Sequence, residues 1–422
     1  MKPQMDVDGR RSRSLYQRLS ASICGSLLLL AACTRSTNGS LTLAINAGVE
    51  GDALRAAARE FGAARSVRVE VLELPYSSLF EKELLDLTSR TGAYDVIMMD
   101  DPWFPRMAQN DQLAPLPWQD PDPDFIATCL AVSRHPYSTG IYYALPYVGN
   151  SQLFFYRKDL FDKHGLAAPA TWAGVLAAAR KIGPSEKMHG YVMRAAPGNA
   201  VVTDYMPLYW AFGAEMFGPD GKPSVTSPES LEALRFMLEL GKYSPPGYAG
   251  FNADEVSAHL LQSTAPMSIN WPAWIAAMDD PAKSKVAGRI EFAPMPSARR
   301  PGVAELGSWL LAVPAATRNR ELAFQFIRWA TDAERMKQAA LRGNPPTRRS
   351  VFLDPELRRS FRSFPAQLAS LETARPRPRT PQWNEIENAF GLYLSQANSG
   401  AVSPEEAMRR AAEDLAAILA RR

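Results

Sequence analysis

Cysteine and histidine are scarce. The chain has three cysteines (Cys24, Cys33, Cys129) and four histidines (His135, His164, His189, His259) in 422 residues. They form no CxxC pair, no HxxxH or HExxH spacing and no other zinc pattern, which excludes a disulfide framework and a metal enzyme; neither a metal nor a cofactor is expected. An excess of one charge is also missing. The chain holds 47 basic and 44 acidic residues. Residues 1–32 contribute five bases and two acids, so removing them leaves 42 of each. A neutral chain offers no broad attraction to nucleic acid or anionic lipid. No apolar run reaches bilayer-spanning length, no repeat of fixed period is present, and GxSxG, glycine-rich phosphate loops and Cys/His nucleophile arrangements are absent. What is present, 46% hydrophobic and 22% charged residues over this length, describes a folded protein of two or three globular units.

The N-terminus is informative. Arg10, Arg11, Arg13 and Arg18 precede an apolar stretch from Ala21 to Ala32, followed by Cys33. A basic region, about 12 apolar residues and small residues before the cut make a secretory leader. Leu30-Ala-Ala-Cys33 resembles the bacterial lipobox, whose cysteine is lipidated and becomes the new N-terminus. Residues 1–32 are therefore expected to be a lipoprotein signal peptide, 33–40 a lipidated tether, and Cys33 the membrane anchor of an exported protein.

Downstream, Leu41–Asn46, Val67–Leu74 and Tyr94–Met99 read as strands, with helices over about 52–62 and from Ser77 or Ser78, as caps, to Thr88. Strands alternating with helices argue for an α/β sheet covered on both faces, with ligands beyond the carboxyl ends of the strands at Asn46–Glu50, Pro75–Ser78 and Asp100–Trp103. A second series follows Asn150: a strand to Tyr156, helices over 158–164 and 172–182, a strand at Gly190–Arg194, and helices near 202–212 and 230–241. The strand Leu306–Val313, helices over about 320–331 and 332–341, and two terminal helices (383–396, 403–421) complete the reading.

The order of short landmarks resembles the extracytoplasmic solute-binding proteins of carbohydrate ABC importers, specifically the maltose/trehalose and multiple-sugar group. The stretches are Tyr94-Asp-Val-Ile-Met-Met-Asp-Asp-Pro-Trp103, Ala144-Leu-Pro-Tyr147, Leu153–Phe161, Ala170-Thr-Trp172, Ala265–Trp271, Gly307-Ser-Trp309, Pro346-Thr-Arg348 and Arg375-Pro-Arg-Pro378. The resemblance implies an α/β, two-lobe periplasmic-binding-protein fold with a hinge and an interlobe ligand cleft. Residues 41–148 plus 305–348 would form the N-terminal lobe, and 149–304 plus 349–422 the C-terminal lobe. It also implies a non-enzymatic, monomeric receptor whose closed form delivers a sugar to the transmembrane subunits of an ABC permease.

A sugar presents apolar C–H faces and hydroxyls that donate and accept, so it asks for aromatic faces with carboxylate, amide and guanidinium groups around them. By resemblance, Trp271 and Trp309 stack on sugar rings, Ser308 lets the backbone approach, Asp100 accepts hydroxyl hydrogen bonds, and Arg377 forks onto hydroxyls in a geometry lysine cannot copy. Asp101 either joins Asp100 or caps the next helix. Glu50 would reach the cleft from the first loop, and Asn150 stands where relatives often carry an acid. Tyr147 would stack or hydrogen-bond at the hinge, and Ser77 is a secondary ligand contact. Trp172 and Trp329 read as core, Arg375 and Arg379 as solvated, and Arg348 as a structural partner of a carboxylate.

The first expectation is an α-linked disaccharide such as trehalose or maltose. An alternative keeps the fold and binds an anion, a glycerophosphodiester or sulfonated sugar, motivated by arginines 342, 348, 349 and 375–379; acidic Glu50 and Asp100 weigh against it. A secreted glycoside hydrolase needs two carboxylates facing across a cleft. Asp100–Asp101 and Asp279–Asp280 are sequence neighbours, which a strand would point to opposite faces.

Overall fold

The structure, a computed structural model, describes residues 39–421. The leader and the lipobox Cys33 lie outside the described residues. Two principal sheets organise the rest, and the chain folds as two lobes. The first sheet has five strands in the order Arg68–Leu74, Ser40–Asn46, Val96–Asp100, Trp309–Ala312, Ala144–Val148. The first three are parallel, and Trp309–Ala312 runs antiparallel to both its neighbours. Val96–Asp100 and Ala144–Val148 are buried along their whole length, as strands sandwiched between helices must be. The second sheet places Leu153–Arg157 between Met267–Asn270 and Ile290–Ala293, all antiparallel.

Two large cores follow from these sheets. One gathers apolar residues from Leu41 to Val148 and again from Leu306 to Ala374. The other runs from Phe154 to Ala304 and resumes at Trp383 on the helix Trp383–Asn398. The helices Arg349–Leu353, Pro355–Ser360 and Phe364–Thr373 bury Val351, Leu357, Phe364 and Leu371 in the first core. Although residues 349–422 are expected with the second lobe, the chain packs against the first core as far as Ala374, through the apolar faces of those helices.

Local readings also shift for identifiable reasons. The segment Gly190–Arg194 is not a strand. Val192 keeps one sheet-like bond to the Met267 carbonyl, but the Arg194 N–H goes to the Asp204 carboxylate instead. The strand expected over Leu306–Val313 splits into Glu305–Leu306 and Trp309–Ala312. At the break the Gly307 N–H bonds the Asn150 carbonyl and the Ser308 N–H bonds Asp101. Glu305–Leu306 then pairs in parallel with Arg375–Pro376, a two-stranded ribbon that brings the arginine segment to the first sheet's strand ends. The helix beginning at Tyr76 is capped by Pro75 without a side-chain bond, so Ser77 is an exposed first-turn residue, not a cap. No helix among the described residues is long and apolar enough to cross a membrane.

Candidate functional site

The carboxyl ends of the first sheet, the helix Val49–Arg65, the crossing at Asn150 and the ribbon at 375–377 converge on one buried polar cluster. Its centre is Arg377, 2% exposed at the side chain. The Arg377 Nη2 donates to both oxygens of Asp100 at 3.0 and 3.1 Å and lies 3.6 Å from Asp101. Its Nε is 3.6 Å from Glu305 and its Nη1 is 3.9 Å from Glu387. Four carboxyl groups thus surround one guanidinium, and the Arg377 pKa is raised further by them despite its burial.

Asp100 also accepts from the Tyr76 hydroxyl at 2.8 Å. Asp101 lies just past the strand, where the chain turns, so both carboxylates reach the arginines despite being sequence neighbours. It accepts from Arg379 Nη1 at 2.6 Å and from the Ser308 N–H at 3.1 Å. Burial pushes it up to about 6, against the pull of Arg377 and Arg379. It does not cap the short helix Phe104–Gln109, whose N-cap is Trp103. Arg379, expected to be solvated, is buried: it also donates to the Asp101 carbonyl at 2.8 Å and the Val132 carbonyl at 2.9 Å. Arg375 pairs with Glu215 and stacks over Trp210, 4.8 Å from its ring centre.

A second arm runs through Glu50. It accepts from the Asn46 amide at 3.0 Å and the Asn150 amide at 2.7 Å, and burial raises its pKa. Gly307 connects this arm to Trp271. A Cβ at Gly307 would stand 2.8 Å from a ring carbon of Trp271, so only glycine lets the indole lie against the backbone. The Arg194 guanidinium sits 5.6 Å over that indole and pairs with Asp204 at 2.7 Å. Trp309 meets Tyr76 and Trp103 edge to face at 5.9 and 5.8 Å, forming an aromatic wall behind Asp100.

The structure therefore brings together Glu50, Asp100, Asp101, Asn150, Trp271, Trp309 and Arg377. Three expected residues take other roles. Ser77 is exposed on its helix. The Ser308 hydroxyl is fully buried and donates to the Val148 carbonyl at 2.9 Å, tying two strands together. Tyr147 is fully buried in the first core; its hydroxyl has no hydrogen-bond partner among the described residues. Arg348 holds the structural role expected of it, 2.7 Å from Asp122 and 3.3 Å from Asp124. Sequence reasoning missed Tyr76, Arg194, Glu305, Arg379 and Glu387. Two of these left a signal: Glu305 stands immediately before the apolar run expected as a strand over Leu306–Val313, and Glu387 falls on the buried stripe Trp383, Ile386, Phe390 of its helix.

Several buried polar atoms of the cluster have no hydrogen-bond partner among the described residues: both carboxyl oxygens of Glu305, Oδ1 of Asn150, Nη2 of Arg194, and Nε of Arg377 and Arg379. Buried polar groups are ordinarily satisfied, and leaving one unpaired costs about 1–3 kcal/mol. Among the described residues no cluster of metal-ligating side chains accounts for them. The arrangement suits a guest carrying many hydroxyls, which donate and accept at once.

Comparison with known proteins agrees with this architecture. Residues 47–337 match the family model described as bacterial extracellular solute-binding protein. A probable amino-acid ABC transporter periplasmic-binding protein of Sinorhizobium fredii is 28% identical over 382 residues, covering 87% of this chain and 85% of the relative. Among solved structures, the solute-binding protein of Agrobacterium radiobacter K84 in complex with ribitol superposes with a TM-score of 0.84 at 27% identity, covering 90% of this chain and 99% of that one. Maltose-bound MalE3 of T. maritima gives 0.83 at 25% identity, covering 89% and 99%. With two lobes, a buried polar site at their junction and the family match over most of its length, the chain belongs to the bacterial extracellular solute-binding proteins of ABC transporters.

Proposed function

We propose that the protein is a receptor that captures a neutral polyhydroxylated molecule, a sugar or polyol, and hands it to an ABC import permease, while a lipid on Cys33 tethers it outside the cytoplasm. The observation that carries this reading is the set of unpartnered buried polar atoms on Asn150, Glu305 and Arg377 beside the half-buried indole of Trp271. A ring or chain of C–H groups packs on the indole while its hydroxyls satisfy those atoms. An α-linked disaccharide such as trehalose or maltose is the first ligand to test, and the maltose complex of the T. maritima protein supports it. The ribitol complex of the A. radiobacter protein favours a linear polyol as the second. An anionic ligand is disfavoured: six carboxyl groups (Glu50, Asp100, Asp101, Asp204, Glu305, Glu387) face three guanidiniums (Arg194, Arg377, Arg379). An enzymatic role is not proposed.

A thermal-shift screen of residues 34–422 against disaccharides, polyols, sugar phosphates and glycerophosphodiesters, with calorimetry on hits, tests the reading. A neutral hit at about 100 times its Kd adds roughly 2.7 kcal/mol of stability and is recovered unhydrolysed. Responses confined to anionic ligands would refute the neutral-ligand assignment.

A further inference from the structure

Around Arg377 the carboxyl groups outnumber their cations. Asp100 is matched by Arg377 itself and the Tyr76 hydroxyl, and Asp101 by Arg379 and the Ser308 N–H. Arg194, the remaining guanidinium nearby, is engaged by Asp204 through its Nε and its own backbone N–H. Glu305 and Glu387 only share Arg377 with the two aspartates, at 3.6 Å from its Nε and 3.9 Å from its Nη1, too far for a hydrogen bond to either. Glu305 is fully buried and neither oxygen receives a hydrogen bond from the described residues. Glu387, 3% exposed, receives one, from the Asn199 amide at 2.9 Å.

From these contacts we propose that Glu305 is a carboxylic acid at neutral pH, that Glu387 is poised there between acid and carboxylate, and that in their protonated forms both act as specificity-determining hydrogen-bond donors to ligand oxygen atoms. The proposal deepens the sugar-or-polyol reading and rests on it for the ligand's identity, though not for the protons. An ordinary glutamate at pH 7 is ionised about 500-fold in favour of the carboxylate. Taking such a charge out of water with no hydrogen bond and only a shared cation 3.6 Å away, as at Glu305, is penalised more heavily than that. Burial raises Glu305 well above the usual carboxylate range; Arg377 and Arg194 pull it down less than burial lifts it, and Glu387 and Asp101 add to the rise. Burial likewise pushes Glu387 up to about 7, against Arg377 and the Asn199 amide and with the help of Asp100. A protonated carboxyl offers one O–H donor beside an acceptor, whereas a carboxylate only accepts. The cluster therefore combines donors from Glu305, Glu387 and Arg377 with acceptors from Asn150 and Glu50, and its preference is for ligands rich in neutral oxygens.

Difference infrared spectroscopy on the ligand-free full chain tests the protons directly. At pH 7 the carboxylic-acid carbonyl band is expected in the wild type, diminished in Glu305→Gln and again in Glu387→Gln. Wild-type spectra without that band, or a band that neither variant diminishes, overturn the proposal whatever binds. Calorimetry with maltose and ribitol tests the donor role. If a group titrating near 7 must carry its proton, the Kd of the probe that binds weakens about 50-fold between pH 7 and pH 9, and Glu387→Gln flattens the profile. A wild-type affinity independent of pH over that range overturns the donor role. Failure of both probes and of the wider ligand screen, with the infrared band present, would instead defeat the sugar-or-polyol reading and leave the protons established.

Discussion

Replacing Arg377 by methionine isolates the charge at the centre of the cluster. In the folded protein this guanidinium touches Asp100 at 3.0 Å and lies within 4 Å of Asp101, Glu305 and Glu387. Removing it from a site it shares with four buried carboxyl groups should cost about 3–5 kcal/mol at pH 8, the usual penalty for stranding a buried charge. The loss has a definite pH dependence. Asp101 and Glu387 already stand at about 6 and about 7 with the arginine present, and its removal raises them further. Groups whose pKa is raised on folding bind more protons in the native state than in the unfolded chain, so stability falls as pH rises from the unfolded value through the folded one. At pH 5 the stranded groups take protons and the loss should shrink to about 1–2 kcal/mol. Urea melts followed by tryptophan fluorescence at pH 5 and pH 8, with m-values compared to confirm the same transition, measure both numbers. A loss below about 1 kcal/mol at pH 8, or the same loss at both pH values, would refute the electrostatic account of the cluster. From sequence alone Arg377 reads as a ligand contact whose removal spares the fold; its burial among carboxyl groups is what adds the structural cost.

Other consequences are more local. Gly307→Ala places a methyl 2.8 Å from the Trp271 ring, an overpacking of about 1–3 kcal/mol; displacement of the indole should weaken ligand binding at least tenfold in calorimetry, and unchanged affinity would remove Trp271 from the site. Cys33→Ala should move the protein from the membrane fraction to the soluble exported fraction, and persistent membrane association would end the lipobox reading. Cys129 is fully buried, and burial pushes its thiol up to about 12. It should resist an aromatic disulfide reagent in the folded protein and react on unfolding, whereas rapid reaction in the native state would contradict its burial.

Period and punctuation made the first sheet legible. The strand ends at Asn46 and Asp100 stand within a residue of where the apolar runs place them, and the ordered landmarks implied the two-lobe fold. What escaped was set by partners far along the chain. Gly190–Arg194 has the composition of a strand, but Asp204 takes the Arg194 N–H and no ladder forms. Tyr147 sits on a strand that reaches the site, yet its side chain goes into the first core. Ser308 spends its hydroxyl on the neighbouring strand. Arg379 looked like one more base in an Arg/Pro-rich segment; only the parallel ribbon with Glu305–Leu306 carries that segment into contact with Asp101. A glutamate at the head of an apolar run, Glu305, and one on a buried helical stripe, Glu387, were the readable sign of the site that sequence reasoning passed over, since burying a carboxyl is tolerated only where something repays it.

The most direct test of the account is a crystal structure of the protein with the neutral ligand recovered from the thermal-shift screen. The account predicts the ligand between the lobes, with its apolar face on Trp271 and its hydroxyls within hydrogen-bond distance of Asn150, Glu305 and Arg377. A ligand bound elsewhere, with those polar atoms still unpaired and the Trp271 face empty, would contradict it.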